Sequence, residues 1–406
     1  MSPSSAPRGR AAPGPTLALF GARVVYALNW YNVGAILPLL RIHLGADAAA
    51  LGIVLGAFLV GVGLFQVPAG ILALRWGDRR TALAGLGLMG AACAASGAAP
   101  SWESLAAIRF AAGVGAALFF APALSLVASY YPAGRKGPVI GLYNGGFSLG
   151  GTIGLVSGAA VGQTYGWPLA LSLGGALLLV AATVCLALLP TTDSPRPRTT
   201  AGAGGPSIRA VLTSRSIWAL SLALTGFWGA VYEVAQYFVD FGHVVHPAWT
   251  PGLAAAIAAA VVFVSFPSGP VGGWIGERVR DRRIVLAGFG AVTAGLALAI
   301  PFLPLDALVA DVVALGAVDG IVFAVLYLLP TYLEETRDGG IALAVGVVNS
   351  IQVSIGSVLA VLFGWIVGAY GYTSAWLFAG IVGLALLPAL AWVRDPAGSA
   401  EPASEP

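Results

Sequence analysis

The chain is expected to be an all-α polytopic membrane protein, with twelve transmembrane helices in two pseudo-symmetric six-helix bundles. Three observations carry this. Hydrophobic residues make up 58% of the 406 and charged residues only 9%, more apolar surface than a water-soluble domain can bury. Apolar segments recur at the roughly 20 residues needed to cross about 30 Å of hydrocarbon. The stretch Gly70-Ile-Leu-Ala-Leu-Arg-Trp-Gly-Asp-Arg-Arg80 also returns, without a gap, as Gly273-Trp-Ile-Gly-Glu-Arg-Val-Arg-Asp-Arg-Arg283. A repeat at half the chain length marks a duplicated bundle.

Residues 1–16 form a Pro/Ala/Arg-rich tail expected to be disordered. The first bundle, 17–189, holds spans near 17–40, 49–73, 81–99, 103–128, 138–162 and 167–189. Its first apolar run is too long for a signal-peptide core and is expected to be kept. A Pro/Thr/Gly/Arg-rich linker, 190–216, follows, in which Pro206–Leu212 can form a short surface helix. The second bundle, 217–393, holds spans near 217–241, 251–275, 284–304, 307–333, 341–367 and 373–393, and 394–406 is a polar tail. Cys93 and Cys185 fall inside apolar runs and read as packing residues.

The net charge of +3 is small, but its placement sets orientation. Arg8, Arg10, Arg75, Arg79, Arg80, Arg135, Lys136, Arg196, Arg198, Arg209, Arg215, Arg278, Arg280, Arg282, Arg283, Arg337 and Arg394 all fall on one side. The opposite loops hold only Arg41, with Glu103, Asp306 and His246. The positive-inside rule then puts both termini and the linker in the cytoplasm, with the chain in the inner (plasma) membrane.

Two motifs carry a family resemblance. Gly70, Leu72, Ala73, Arg75, Gly77, Arg79 and Arg80 follow the loop pattern G-x-L-a-D-R-x-G-R-R, with Leu74 where the acid belongs. Leu105, Arg109, Gly113, Gly115, Ala116 and Ala117 follow L-x-x-x-R-x-x-q-G-x-g-a-a in the fourth span, with Ala112 in place of the Gln. With the duplication, these make the chain resemble the major facilitator superfamily over nearly its whole length. The resemblance implies that spans one, four, seven and ten line a central cavity. It also implies that the basic loop residues latch the two halves on the cytoplasmic side: Gly70, Arg75, Asp78, Arg79 and Arg80 in one copy, Glu277, Arg278, Asp281, Arg282 and Arg283 in the other. Because only the second copy keeps its acid, Glu277 is expected to carry more of the latch.

Polar residues concentrate in those four spans. Arg109 lies about 10 Å in from Trp102 at 1.5 Å per residue. Tyr232, Glu233, Gln236, Tyr237 and Asp240 recur at helical spacing, and Glu233 falls near the depth of Arg109. Asp319 sits mid-span, with Asp311 and Tyr327 two turns to either side. Tyr26, Asn29 and Asn32 come from the first span, Asn144 from the fifth, and Asn349 and Gln352 from the eleventh. Intramembrane acids mark ion or substrate paths, so Arg109, Glu233 and Asp319 are the expected charge-coupling set, with the remaining polar residues lining the cavity. Asp240 and Asp311 are expected to be solvated near the outer interface, and Arg23 to snorkel toward the cytoplasm. His243 and His246 share helical spacing but have no third ligand, so no metal is expected.

Gly146, Gly150, Gly154, Gly158 and Gly162 put a glycine face on the fifth span, which Gly356, Ala360, Gly364 and Gly368 repeat on the eleventh. Such faces admit close backbone approach and are expected to let the halves slide or rock. The function that follows is secondary transport of a small solute by alternating access, coupled to protons. It uses no cofactor, no nucleic-acid partner and no enzymatic chemistry, in a monomer held by the lipid bilayer. If Arg109 pairs with Glu233, protonation frees the guanidinium for an anion (symport); a cationic solute would compete with the proton (antiport). A drug or metabolite exporter and an organic-anion or cyanate-like importer both fit. Ala27-Leu-Asn-Trp-Tyr-Asn-Val-Gly34 resembles the latter, and spans two and eight offer no nitrate-type arginine. A transporter-like receptor or assembly factor is the rival from another class.

Overall fold

The structure, a computed structural model, describes residues 13–131, 133–191, 212–329 and 341–394. The tails beyond these limits, most of the 190–216 linker with residues 206–211 of its 206–212 segment, and Arg337 lie outside the described residues. So do the side chains of Leu74, Arg135, Lys136 and Tyr327.

The first span runs Pro13–Tyr31, breaks over a 3-10 turn at Gly34–Ile36 and resumes as Leu37–Leu44. The break falls where it meets the seventh span. A Cβ on Gly34 would stand 2.8 Å from Gln236 Cα, so these two backbones meet only because that side chain is missing. The second to sixth spans are Ala48–Trp76, Asp78–Ser96, Trp102–Ser129, Ala133–Tyr165 and Trp167–Leu188. The seventh to tenth are Arg215–Val245, Pro251–Arg278, Arg282–Ala299 and Leu305–Leu328.

The eleventh and twelfth spans share the stretch Ile341–Leu386, which is broken at Gly371 (φ 81°). Gly166 (φ 88°) makes the equivalent junction between the fifth and sixth spans. Both positions need a backbone that L side chains rarely adopt. Asp47, Ser101, Ser214 and Thr250 cap the helices that follow them by accepting from a backbone N–H of the first turn.

Among the described residues, nine helices are long and apolar enough to cross a bilayer. The last of these holds two spans. The first and third are not counted among the nine, the first because Arg23 and Asn29 make it less apolar and the third because Asp78, Arg79 and Arg80 open it.

Packing corrects one expectation. The glycine face of the fifth span does not slide between halves: Gly150, Gly154 and Gly158 rest on the Val24, Leu28 and Asn32 carbonyls of the first span, inside their own half. A backbone seated this deeply in another's groove is interlocked. The seams between halves are built from other glycines. Gly52, Gly56 and Gly63 of the second span meet Val361, Ser357 and Ser354 of the eleventh, and Gly364 returns the contact at Ala48. Gly145 and Gly151 of the fifth span meet Phe266 and Val262 of the eighth.

These placements separate two kinds of glycine. Gly150→Ala drives a methyl into the Val24 carbonyl and is expected to cost about 1–3 kcal/mol, the usual range for overpacking. Gly87→Ala, with nothing within 4 Å of the new atom, is expected to stay within about 0.5 kcal/mol of the parent. Thermal unfolding of the two purified variants in one detergent checks the contrast.

Candidate functional site

The seventh span is enclosed along nearly all its length, every residue from Ala223 to Gly242 being buried, so its polar side chains must find partners inside the protein. Gln236 Nε2 donates to the Trp30 carbonyl (2.8 Å), and Tyr237 Oη to the Ala360 carbonyl (2.9 Å). Tyr232 stacks on Trp228, ring centroids 4.8 Å apart. Glu233 is 1% exposed, and its Oε2 has no hydrogen-bond partner.

Asp240 overturns its expected solvation. It is fully buried and receives Arg41 through Nε (3.2 Å) and Nη2 (2.5 Å), and a short hydrogen bond from Tyr372 Oη. Arg41 closes the first span, so this pair ties the two halves together. Asp311 is also buried, with Oδ2 unpartnered. It too is enclosed by neighbouring helices rather than by solvent.

Arg109 does not pair with Glu233. Its Nη1 donates to the Asn29 carbonyl (3.1 Å) and lies 3.9 Å from Cys93 Sγ, and its guanidinium rests 4.3 Å from the Phe58 ring centroid. Among the described residues no carboxylate is within ion-pair distance of it. Asn29 Nδ2 donates to the Val25 and Gly174 carbonyls (2.9 Å each), fastening the first span to the sixth, while the Asn32 amide is buried without a partner. Asp319 is buried beside the Ser265 hydroxyl, with its Oδ1 unpartnered.

Arg23 does not snorkel. It is 6% exposed, and its guanidinium is ringed by Tyr26 (4.8 Å), Phe120 (4.8 Å), Tyr143 (5.6 Å) and Phe147 (4.6 Å). Snorkelling needs a clear route along the helix. Here aromatic rings from the fourth and fifth spans close that route.

The remaining lining residues divide. Tyr26 is buried against Trp30, Phe119 and Phe147. Asn349 Nδ2 donates across the seam to Gln66 Oε1 (3.0 Å), beside Ser350 Oγ on the Gly63 carbonyl, and Gln352 is buried one turn on. Asn144 is exposed, two turns from Gly151 and therefore on its face, which points toward Tyr31 and the eighth span.

The repeated loops grip their own halves. Arg79 donates to the Leu189 and Leu186 carbonyls at the end of the sixth span, and Arg283 to the Val393 carbonyl after the twelfth. Arg394 N–H donates to Ser216 Oγ, which brings the start of the seventh span to this side as well. Asp78 accepts from Ser125 Oγ (2.7 Å). Glu277 is exposed and makes no ion pair among the described residues. Within the same loop Asp281 pairs with Arg283 at 2.6 Å; that arginine holds the Asp281 carboxyl below the usual carboxylate range. Gly70 has open space around it, Arg75 and Arg80 are exposed, Arg278 lies 4.4 Å over Trp274, and Arg282 is buried.

Sequence reasoning passed over Arg41, Tyr372, Gln66 and Ser265. For Arg41 the signal was present: it is the one arginine in the loops on the sparsely charged side.

Two packed six-span repeats around a buried polar interior define a secondary transporter. Residues 19–337 match the model of the Major Facilitator Superfamily, and the chain belongs to that family. It is 28% identical to the 4-hydroxybenzoate transporter PcaK of Pseudomonas aeruginosa, over 89% of this chain and 86% of that one. It is 27% identical to the protein of the same name from Pseudomonas putida, with the same coverage. The crystal structure of a bacterial homologue of the human lysosomal transporter Spinster, in an inward-facing and occupied conformation, superposes with a TM-score of 0.74. That match is at 17% identity and covers 93% of this chain and 95% of the other, showing a shared fold.

The Asp240 cluster makes an ordered series. Arg41→Ala strands a buried carboxylate and is expected to cost about 3–5 kcal/mol. Tyr372→Phe removes one hydrogen bond to a charge, about 1.5–3 kcal/mol. Arg41→Ala with Asp240→Ala should recover part of the single-variant loss, read as the coupling term of a double-mutant cycle on detergent-solubilised protein.

Proposed function

We propose that this chain carries a small aromatic carboxylate together with a proton. The observation that carries the reading is the separation of charge in the interior. Among the described residues, Arg23 and Arg109 are buried with no carboxylate partner, and Glu233 and Asp319 are buried with no cationic partner. A buried guanidinium gains from an anion and a buried carboxylate from a proton. An acid entering as anion plus proton supplies both, which is symport. The near full-length likeness to 4-hydroxybenzoate transporters supports an aromatic acid as the anion.

In this reading Arg109, Glu233 and Asp319 handle charge. Tyr26, Asn29, Asn32, Tyr232, Gln236, Tyr237, Asn144, Asn349 and Gln352 line the route. Residues 17–189 and 217–393 rock as two bodies about the glycine seams, joined by the 190–216 linker. No bond is made or broken in the solute. The protein works as a monomer in the plasma membrane with both termini in the cytoplasm, where the arginines gather.

The test is uptake of labelled 4-hydroxybenzoate into proteoliposomes with an alkaline interior. The parent is expected to accumulate the acid above equilibrium. Glu233→Gln and Asp319→Asn should each lose gradient-driven accumulation, falling by roughly tenfold, the equivalent of about 1.4 kcal/mol, while retaining exchange of internal for external acid. Undiminished accumulation in both variants would sink carboxylate coupling.

A further inference from the structure

Near the Arg23 guanidinium, three side chains hold polar atoms that are fully enclosed and make no hydrogen bond: Arg23 through Nε and Nη1, Tyr143 through Oη, and Trp30 through Nε1. They form one cluster. The Phe147 ring lies 4.6 Å from the Arg23 guanidinium carbon and 5.5 Å from the Trp30 ring, and the Tyr143 ring lies 5.6 Å from the same guanidinium. Each of the three side chains is more than nine-tenths buried.

Their chemistry has one sign. Arginine and indole only donate hydrogen bonds, and a phenol can donate. The Tyr26 hydroxyl is the acceptor nearest to Arg23 and Trp30, and one phenolic oxygen cannot satisfy that many N–H groups. A strut arginine ends on carbonyls, as Arg109 does on Asn29. Arg23 instead rests on four aromatic faces, which stabilise its charge but leave its Nε and Nη1 hydrogens unused. A set of enclosed donors that outnumbers its acceptors is matched by a ligand that only accepts, and a carboxylate is one.

We infer that Arg23, Trp30 and Tyr143 form an anion seat distinct from the surroundings of Arg109, and that it takes the carboxylate of the transported acid. The assignment rests on the aromatic-acid reading above. Its walls come from the first, fourth and fifth spans, all in the first half, so movement of one half against the other leaves the seat assembled. The fifth span is held to the first by the Gly150 and Gly154 contacts, which fix Tyr143 and Phe147 opposite Arg23. The aromatic sides of the seat suit a flat ring attached to the carboxylate.

The experiment compares equilibrium binding of 4-hydroxybenzoate with that of 4-hydroxybenzamide, its neutral counterpart, to the purified full chain in nanodiscs. The parent is expected to prefer the acid. In Arg23→Gln that preference should fall by about 10- to 100-fold, the range for losing a charged hydrogen bond. Amide affinity should hold, and Arg23→Lys should recover part of the loss. Trp30→Phe and Tyr143→Phe each remove one donor with little change of shape, and each should lower the preference several-fold. These two carry the test if Arg23→Gln does not fold. An acid-over-amide preference unchanged in Arg23→Gln, or in both conservative variants, overturns the seat while leaving the aromatic-acid reading intact. A parent chain that binds neither compound overturns that reading, and the seat with it.

Discussion

A charge taken out of water into a helical bundle must be met by an opposite charge, a dipole or an aromatic face, and how each charge is met organises this molecule. Asp240 has the strongest answer: Arg41 from the other half and Tyr372 from the twelfth span converge on it. Arg109 has a carbonyl and a ring, and Arg23 has rings alone. Glu233 and Asp319 have no cation among the described residues. The pattern is graded along the path. The fully paired charge lies at the end of the seventh span away from the termini, and the under-paired charges lie deeper. Full pairing joins the two halves at that end, whereas incomplete pairing leaves the interior charges free to take a partner of opposite sign.

The duplication explains how the frame around that interior stays rigid. Arg79 in the first copy and Arg283 in the second, one place apart in the repeat, each end on backbone carbonyls at the last span of their own half. A helix C-terminus offers carbonyls without intrahelical partners, and a guanidinium is well shaped to take them. Gly166 and Gly371 likewise make matching left-handed junctions before the last span of each half. These devices make each half a body in itself. The contacts between halves run through the glycine seams, the Gln236–Trp30, Asn349–Gln66 and Ser350–Gly63 hydrogen bonds and the Arg41–Asp240 pair.

The spans, the repeat and the polar stripe of the seventh helix were legible in the sequence because each is a local pattern of period or spacing. What faced those patterns was not. Helical spacing shows that Gly150 and Gly154 share a face, but nothing in it says whether that face meets the first span or the other half. Asp240 looked solvated because its position was measured from the helix end, while its partner Arg41 lies in the other half. Arg23 looked free to reach the interface because Phe120, Tyr143 and Phe147, which enclose it, belong to distant helices. Arg109 and Glu233 lie at similar depth without pairing, since depth along two helices does not fix which sides they turn to each other.

The closed end and the under-paired interior are linked by geometry. Arg41 and Arg23 sit on the same first span, on either side of its break at Gly34–Ile36, and Gly34 packs directly on the seventh span at Gln236. Asp240 lies one turn beyond Gln236 on that seventh span. Any motion that separates Arg41 from Asp240 therefore works against the Gly34–Gln236 contact and the Gln236–Trp30 hydrogen bond. Trp30 in turn packs on Phe147, the ring under Arg23. The chain of contacts from Asp240 to Arg23 is short and passes through one break in one helix. A short chain of packed contacts thus joins Arg23 to the Arg41–Asp240 pair. The first span needs its glycine break because a straight helix could not both hold the interior charge and reach across to the opposite half.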